Sequence, residues 1–429
     1  MLNRKQAPAF KTIDRVNVIQ AKTQTLDNGI PFYSVSAGSQ EICKIEFLFR
    51  AGMYYQPSTL IASCTNALLE CGTRSYTANE LSDGIDFYGS YLELQVEQDF
   101  ASVTLFTLNK YIKESLVFFE EMLKYPTFPE EEFKIHVANK KQRHVINSQK
   151  VSVLARRKFA ELLYGPTHPY GLMVKDEDFD TLDLNAIKTF FATHYSSGNC
   201  TIIASGLLPE NLRDTLNEKF GKQTWGTITP LKTPQVGFQK PAENKHYVAK
   251  EGAIQSAIRV GRLLFNKTHP DYFKFQMLNN ILGGYFGSRL MANIREDKGY
   301  TYGIGSGLSN LIHAGSFFIS TEVGVDVTDK TLEEIYKEIK LLREELVDAN
   351  ELETVRNYIL GHFLRSVDGP FSLADKFKSI WEYGLDYDFY DKYFDAVKSV
   401  TPTELRDLAN KYLQEKDLIE CVVGKRGKD

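Results

Sequence analysis

The stretch LNNILGGYFGSRLMANIREDKGYTYGIGSG (278–307) decides how this chain is read. Its apolar helical run ends in Leu282 and the glycines 283, 284 and 287, so Gly283 or Gly284 reads as the C-cap of a helix. A glycine-rich corner also lets a second backbone approach closely. It is not a phosphate loop, because no strand feeds directly into it and no Gly-Lys-Ser/Thr follows. Gly299 breaks the next helical tract, which places Arg295 and Tyr302 across a helix–turn–strand corner. Read from the residues alone, Arg295 pairs with Glu296 or a neighbour, and Tyr302 is a half-buried strand residue.

Working outward, the same local order occurs twice. IEFLFRAGMYY (45–55) leads into NALLECGT (66–73), and SAIRVGRLLF (256–265) leads into LNNILGGYFGS (278–288). A helical FFATHY (190–195) precedes the buried strand CTIIASG (200–206). LANKYL (408–413) likewise precedes LIECVVG (418–424). Matching order at matching spacing indicates an internal duplication. Between the copies, TWGTITPLKTPQVGFQKPAENK (224–245) has three prolines and no sustained period, and reads as a linker. The expected domains are therefore 1–223 and 246–429.

Within the copies, YLELQVE (91–97) and ASVTLFTL (101–108) alternate like the arms of a hairpin. GIGSGLS (303–309) and GSFFISTEV (315–323) read as strands, while 111–124, 328–347 and 350–366 read as helices. Thr77 to Glu80 forms a capping box. Ser58 is expected to cap a helix that stops at Gly72. Hairpins beside helices predict an α+β fold: two homologous α/β domains, each a mainly antiparallel sheet packed with helices.

Composition narrows the function. With 51 Lys plus Arg against 55 Asp plus Glu, the net charge is −4, which gives no general reason to expect nucleic acid or an anionic membrane as partner. A hydrophobic content of 43% and 12% aromatics exclude a mostly disordered chain. Residues 300–321 lack Asp, Glu, Lys and Arg, but recurrent Gly, Ser and Thr make them two strands and a turn rather than a membrane span. MLNRKQAPAFKTIDR (1–15) has positive charge with no apolar core behind it, so it is not a secretory signal. The five cysteines form no CxxC pair and suit a reducing compartment as buried thiols, which points to the cytoplasm.

The 278–307 stretch resembles the signature of the insulinase/pitrilysin zinc metallopeptidases, the group that includes mitochondrial processing peptidases and the core proteins of respiratory complex III. Leu-Gly-Gly at 282–284, Ser288-Arg289-Leu290 and Arg295-Glu296-x-Lys298-Gly299-x-x-Tyr302 carry the match. ALLECGTRSYTANEL (67–81), YPTFPEEEF (125–133) and LYGPTHPYG (163–171) agree in outline. The resemblance implies a half-clamshell of two homologous domains that closes on a second such chain around a peptide. It implies that Arg295 and Tyr302 act in catalysis beside a partner's zinc, holding a peptide carbonyl and the oxyanion of a tetrahedral intermediate. It also implies that the corner at Gly283 and Gly284 takes part in substrate binding.

The zinc site is where this chain departs. The family uses His-x-x-Glu-His, two histidines binding Zn²⁺ and a glutamate activating water. Aligned on Gly72-Thr73, those positions hold Ser63, Cys64, Thr65, Asn66 and Ala67. No two of the eight histidines are four residues apart. The family's third ligand, a glutamate, would fall near Lys140–Arg143, but 133–160 contains no acid and is rich in Lys and Arg. That basic tract reads as a solvated helix face or as a groove for acidic peptide ends. His168, before a proline, reads as structural.

The expectation is a non-zinc subunit of a two-chain peptidase, with no cofactor in this chain and zinc on a homologous partner in a heterodimer. Such a chain does not hydrolyse peptides alone. Its partners are that subunit and a peptide or unfolded polypeptide, with no nucleic acid and no membrane. The rival readings are an inactive scaffold, a peptide-binding homodimer, and an enzyme with an unrecognised site of its own.

Overall fold

In the segment 42–49, Cys43, Ile45, Phe47 and Phe49 alternate with Lys44, Glu46 and Leu48, and this period of two makes Ile42–Phe49 a strand with two distinct faces. The computed structural model describes Val16 and residues 18–227 and 233–425. The N-terminal reading at 1–15 and part of the 224–245 reading lie outside the described residues. The first sheet contains β1 (Lys22–Thr25), β2 (Pro31–Ser36), β3 (Ile42–Phe49), β4 (Tyr91–Val96), β5 (Ala101–Leu108) and β6 (Cys200–Gly206). The second contains β7 (Lys245–Ala249), β8 (Gln255–Leu264), β9 (Ile304–Leu311), β10 (Ala314–Gly324) and β11 (Ile419–Gly424). The fold is α+β, and both hairpins expected from alternation are present.

Strand order is β1-β2-β6-β3-β5-β4 in one sheet and β7-β11-β8-β10-β9 in the other. Apart from β1, the two orders superimpose strand for strand. The pairing senses also agree: β2 with β6 and β7 with β11 are parallel, and the remaining ladders are antiparallel. Identical topology on two sides of one chain is the structural form of the repeat read in the sequence.

The helices of the first half are α1 (Ile61–Ala67), α2 (Ala78–Phe87), α3 (Ile112–Lys124), α4 (Glu130–Asn147), α5 (Val151–Tyr164), α6 (Asp176–Asp180), α7 (Leu184–His194) and α8 (Leu212–Leu216). Those of the second are α9 (Tyr272–Asn279), α10 (Thr328–Glu344), α11 (Ala349–Arg365), α12 (Pro370–Trp381), α13 (Asp388–Ser399) and α14 (Pro402–Tyr412). The Thr77 capping box is formed, with Glu80 N donating to Thr77 Oγ1 at 3.3 Å and Thr77 N to Glu80 Oε2 at 2.8 Å. Ser58 does not cap α1. The helix starts after Leu60, which adopts φ +75°, and the side chain of Gln56 accepts from Ala62 N at 3.2 Å. Beyond α1 the chain tightens into a single 3₁₀ turn at Leu68–Glu70 and stops at Gly72, φ +136°.

Each sheet is covered on one face by its own helices and on the other by a helix from the opposite half. Cys43, Ile45, Phe47 and Phe49 pack with Leu116 and Phe119 of α3 in the first core. On the reverse face, Val35, Leu48 and Ile203 pack with Leu373, Ala374 and Phe377 of α12, which comes from the second half. Ile258, Val260, Phe317 and Ile319 form the second core with Phe275 and Leu278 of α9 and Ile335 and Ile339 of α10. The reverse face of that sheet, with Ala257, Ile419, Cys421 and Val423, lies against α5, from the first half. No helix among the described residues is long and apolar enough to cross a membrane.

Because the halves exchange helices, they are expected to unfold together. Leu373→Ala in α12 removes a buried side chain from the first sheet's reverse face and should cost about 2–5 kcal/mol. Chemical denaturation should show this loss in one transition shared by both halves. Two separate transitions with only one displaced would show that the exchanged helices do not couple them.

Candidate functional site

The segment aligned with the zinc motif occupies α1, beneath the edge strand β4. Cys64 and Thr65 point into the core and are fully buried, while Ser63, Asn66 and Ala67 border a cavity of about 460 Å³. Burial pushes the Cys64 thiol up, so it stays protonated and is a poor metal ligand. Asn66 donates from Nδ2 to Ser102 O at 3.2 Å and to Tyr195 Oη at 3.1 Å, but its buried Oδ1 has no partner.

The opposite wall is α4. His136, Lys140, Arg143, His144 and Asn147 recur at helical spacing and fall on one face, which turns toward α1. Arg157, from α5, closes the end of the cavity. His144 lies 3.4 Å from Arg157 through Nδ1 and 3.4 Å from Asp176 through Nε2. His136 is pushed down to about 4, first by burial and then by the charges of Lys140 and Arg143, and its buried Nε2 has no partner. None of the residues lining this cavity is an acid.

The basic tract therefore divides. Lys134 pairs with Glu130 at 2.9 Å and Lys141 with Asp180 at 2.5 Å, both on the solvent side. Lys140 and Arg143 face the cavity and have no carboxylate partner among the described residues. Zinc does not fit here. Where the family gathers two histidines and carboxylates, α1 offers a hydroxyl, an amide and a methyl group, and the opposite wall offers three cations with His136 and His144 but no carboxylate. Among the described residues no cluster of three or more His, Cys, Asp and Glu could hold a metal ion. Sequence reading placed Arg157 in the basic tract but missed His136 and His144. The signal was the helical recurrence of 136, 140, 143–144 and 147.

The second region is the corner in the second half. A single-turn π-helix over Asn280–Gly284 follows α9, and a second π-helical segment spans Met291–Asp297. Gly299, φ +65°, then reverses the chain into β9. Gly283 permits close packing, since a Cβ there would lie 2.7 Å from Ser306 N of β9. Gly284 borders another cavity, about 410 Å³, with Asn280, Tyr358 and His362. Arg289 is anchored by two hydrogen bonds to Glu351 of α11, at 2.8 and 2.7 Å.

Arg295 makes only a loose ion pair with Glu296, 3.9 Å, and its guanidinium stacks over Phe286 at 4.6 Å from the ring centroid. Tyr302 is not half-buried: it is 97% exposed. Its turn is nevertheless fixed, because Thr301 Oγ1 donates to Glu322 O at 2.8 Å and Thr321 Oγ1 donates to Thr301 Oγ1 at 2.9 Å. Tyr302 borders a cavity of about 380 Å³ together with Arg259 and Ser152, and Arg295 does not border it. His168 is structural: it is buried among Tyr54, Tyr164 and Phe238, and its Nδ1 accepts from Tyr170 N at 3.1 Å.

Comparison with known proteins agrees with this geometry. Residues 181–359 match the family described as peptidase M16 inactive domain. The uncharacterized zinc protease YmxG of Bacillus subtilis is 21% identical over 306 residues, covering 69% of this chain and 72% of that protein. The non-peptidase homolog YmxG of Helicobacter pylori is 21% identical over 375 residues, covering 84% of each. The crystal structure of a peptidase M16 inactive domain from Pseudomonas fluorescens has the same fold, with a TM-score of 0.81 at 22% identity over 94% of this chain and 98% of that one. The insulinase-type relationship read from 278–307 is borne out, and so is the fold.

Two outcomes follow from the cavity. His136 is held below its ordinary value, so the unfolded chain binds the extra proton first. The contribution of this group is complete above about pH 6.5 and is lost as pH falls toward about 4. His136→Gln should lose less thermal stability than the parent between pH 7 and pH 4.5, read by melting temperature. Elemental analysis of the purified chain should find well under one equivalent of zinc, and a chelator should leave its melting temperature unchanged.

Proposed function

Starting from a chain that carries the peptidase M16 inactive domain and lacks the family's zinc motif, we propose that it is the non-zinc subunit of a two-chain insulinase-type metallopeptidase. The zinc belongs to a homologous partner. This chain contributes Arg295 and Tyr302, and the substrate is a peptide or an unfolded polypeptide. The observation that carries the reading is Tyr302, a large aromatic residue held on a hydrogen-bonded turn while 97% exposed. At that exposure the side chain adds little to packing among the described residues. Presented to a partner, its phenol donates a hydrogen bond to an oxyanion.

Arg295 supplies a positive charge and planar donors that suit a peptide carbonyl. Phe286, 64% exposed beneath it, limits where the guanidinium can lie. Gly283 seats β9 at the edge of the second sheet, where an extended polypeptide can add as a further strand. Gly284 keeps the neighbouring corner free of a side chain. The five cysteines are free, four of them buried, which favours a reducing compartment such as the cytoplasm.

Co-purification from the source cell should recover a homologue with His-x-x-Glu-His. With that partner, Tyr302→Phe and Arg295→Ala should each lower peptide turnover by about 10²–10³-fold, while size-exclusion chromatography shows unchanged assembly. Unchanged turnover in both variants, or recovery of the chain with no such homologue, would overturn the proposal. A peptide-binding dimer without catalysis is the second reading. It is favoured by the basic cavity at the zinc position, and it predicts saturable peptide binding by this chain alone.

A further inference from the structure

The cavity between α1 and α4 is more than a lost metal site. We propose that it binds the C-terminal carboxylate of a peptide lying along the edge strand β4, with Lys140 and Arg143 as the cationic contacts. Three observations carry this. The cavity holds Lys140, Arg143 and Arg157 with no acid in its lining, and Asp176 reaches it only behind His144, so its wall is net positive. It also borders Leu94 and Val96 of β4, an edge strand of its sheet, so a bound chain can pair with a backbone edge while its terminus reaches the cations. Finally, Asn66, 1% exposed and part of the cavity wall, has a buried Oδ1 without a donor.

That unpartnered oxygen favours a peptide over a bare anion. An amide oxygen without a partner takes an N–H or O–H, of which a phosphate dianion has only one and otherwise only accepts. A peptide brings both main-chain N–H donors and a terminal carboxylate. The cavity, about 460 Å³, is also too roomy for one small anion and accommodates a terminal residue with its side chain. Leu60 and Phe179 in the lining favour an apolar residue at that terminus. The two cations act differently. Arg143 can take a carboxylate through two parallel N–H groups, and Lys140 adds a point charge.

Such binding needs no zinc-bearing partner, so it stands or falls separately from the heterodimer reading. The test uses the whole purified chain and a fluorescein-labelled decapeptide ending in leucine, with either a free or an amidated C-terminus, followed by anisotropy. The free acid should bind at least tenfold tighter than the amide, and Lys140→Ala and Arg143→Gln should each remove most of that difference. Lys134→Ala, on the solvent side of the same helix, should not change it. Far-UV circular dichroism confirms that each variant is folded. Equal binding of acid and amide by the parent chain, or full retention of the difference in both cavity variants, would overturn the proposal. Displacement of the peptide by inorganic phosphate at a similar concentration would reassign the cavity to a bare anion and overturn it as well.

Discussion

A β-sheet has two faces, and each half of this chain covers only one of its own. The open face of the first sheet is closed by α12 and that of the second by α5. Everything else rests on this mutual closure, because neither sheet is a complete core without a helix from the other side. Polar pairing fixes which helix goes where. Glu46, 4% exposed on β3, accepts from Lys378 of α12 at 2.7 Å, and Lys44 approaches the same carboxylate at 3.5 Å. A buried carboxylate without such partners is costly, so this interface discriminates against any apolar helix that lacks the lysine. On the other side, Tyr164 of α5 donates to Ser316 of β10 at 3.2 Å.

This closure also places the functional surfaces. Helix α5 begins at Val151 and carries Arg157, which enters the basic cavity, while its Ser152 borders the cavity that holds Tyr302. One helix thus connects the two regions singled out by chemistry. The duplication puts a related hollow in each half. The first lies between α1 and α4, and the second lies where α9 and its π-turn meet α11. The first sets Lys140, Arg143 and Arg157 among aliphatic residues, and the second sets Lys267 and Lys376 among tyrosines and phenylalanines such as Tyr358, Phe363 and Phe389. A common topology has therefore been lined with two different chemistries, which is how sites diverge on a retained fold.

Much of the architecture could be read from local pattern. The arms of the 91–108 hairpin, the long amphipathic helices and the paired strands before Gly206 and Gly424 all rest on short-range periodicity, which sequence displays directly. The start of α1 could not. Ser58 has the right chemistry for a cap, but Leu60 enters a left-handed conformation that only the surrounding packing enforces. The exchange of α5 and α12 was also hidden, since each meets a strand from the other half of the chain. At the zinc position, the missing ligands were plain in the sequence. What replaced them was not, because Lys140 and Lys141 differ only in which way the helix turns them. The exposure of Tyr302 followed the same rule: strand neighbours suggested burial, and a threonine-locked turn lifted it out.

The crossing of α12 onto the first sheet has a consequence for synthesis. β6, the last strand of that sheet, ends at Gly206, but the helix that shields Val35, Leu48 and Ile203 ends at Trp381. At roughly 5–20 residues per second, the ribosome takes on the order of 10–35 s to cover that interval. Throughout it, an apolar sheet face with strands already available for pairing waits in the open. A nascent chain of this design depends on something else to occupy that face, whether a chaperone or its own unfinished strands, until its last third arrives.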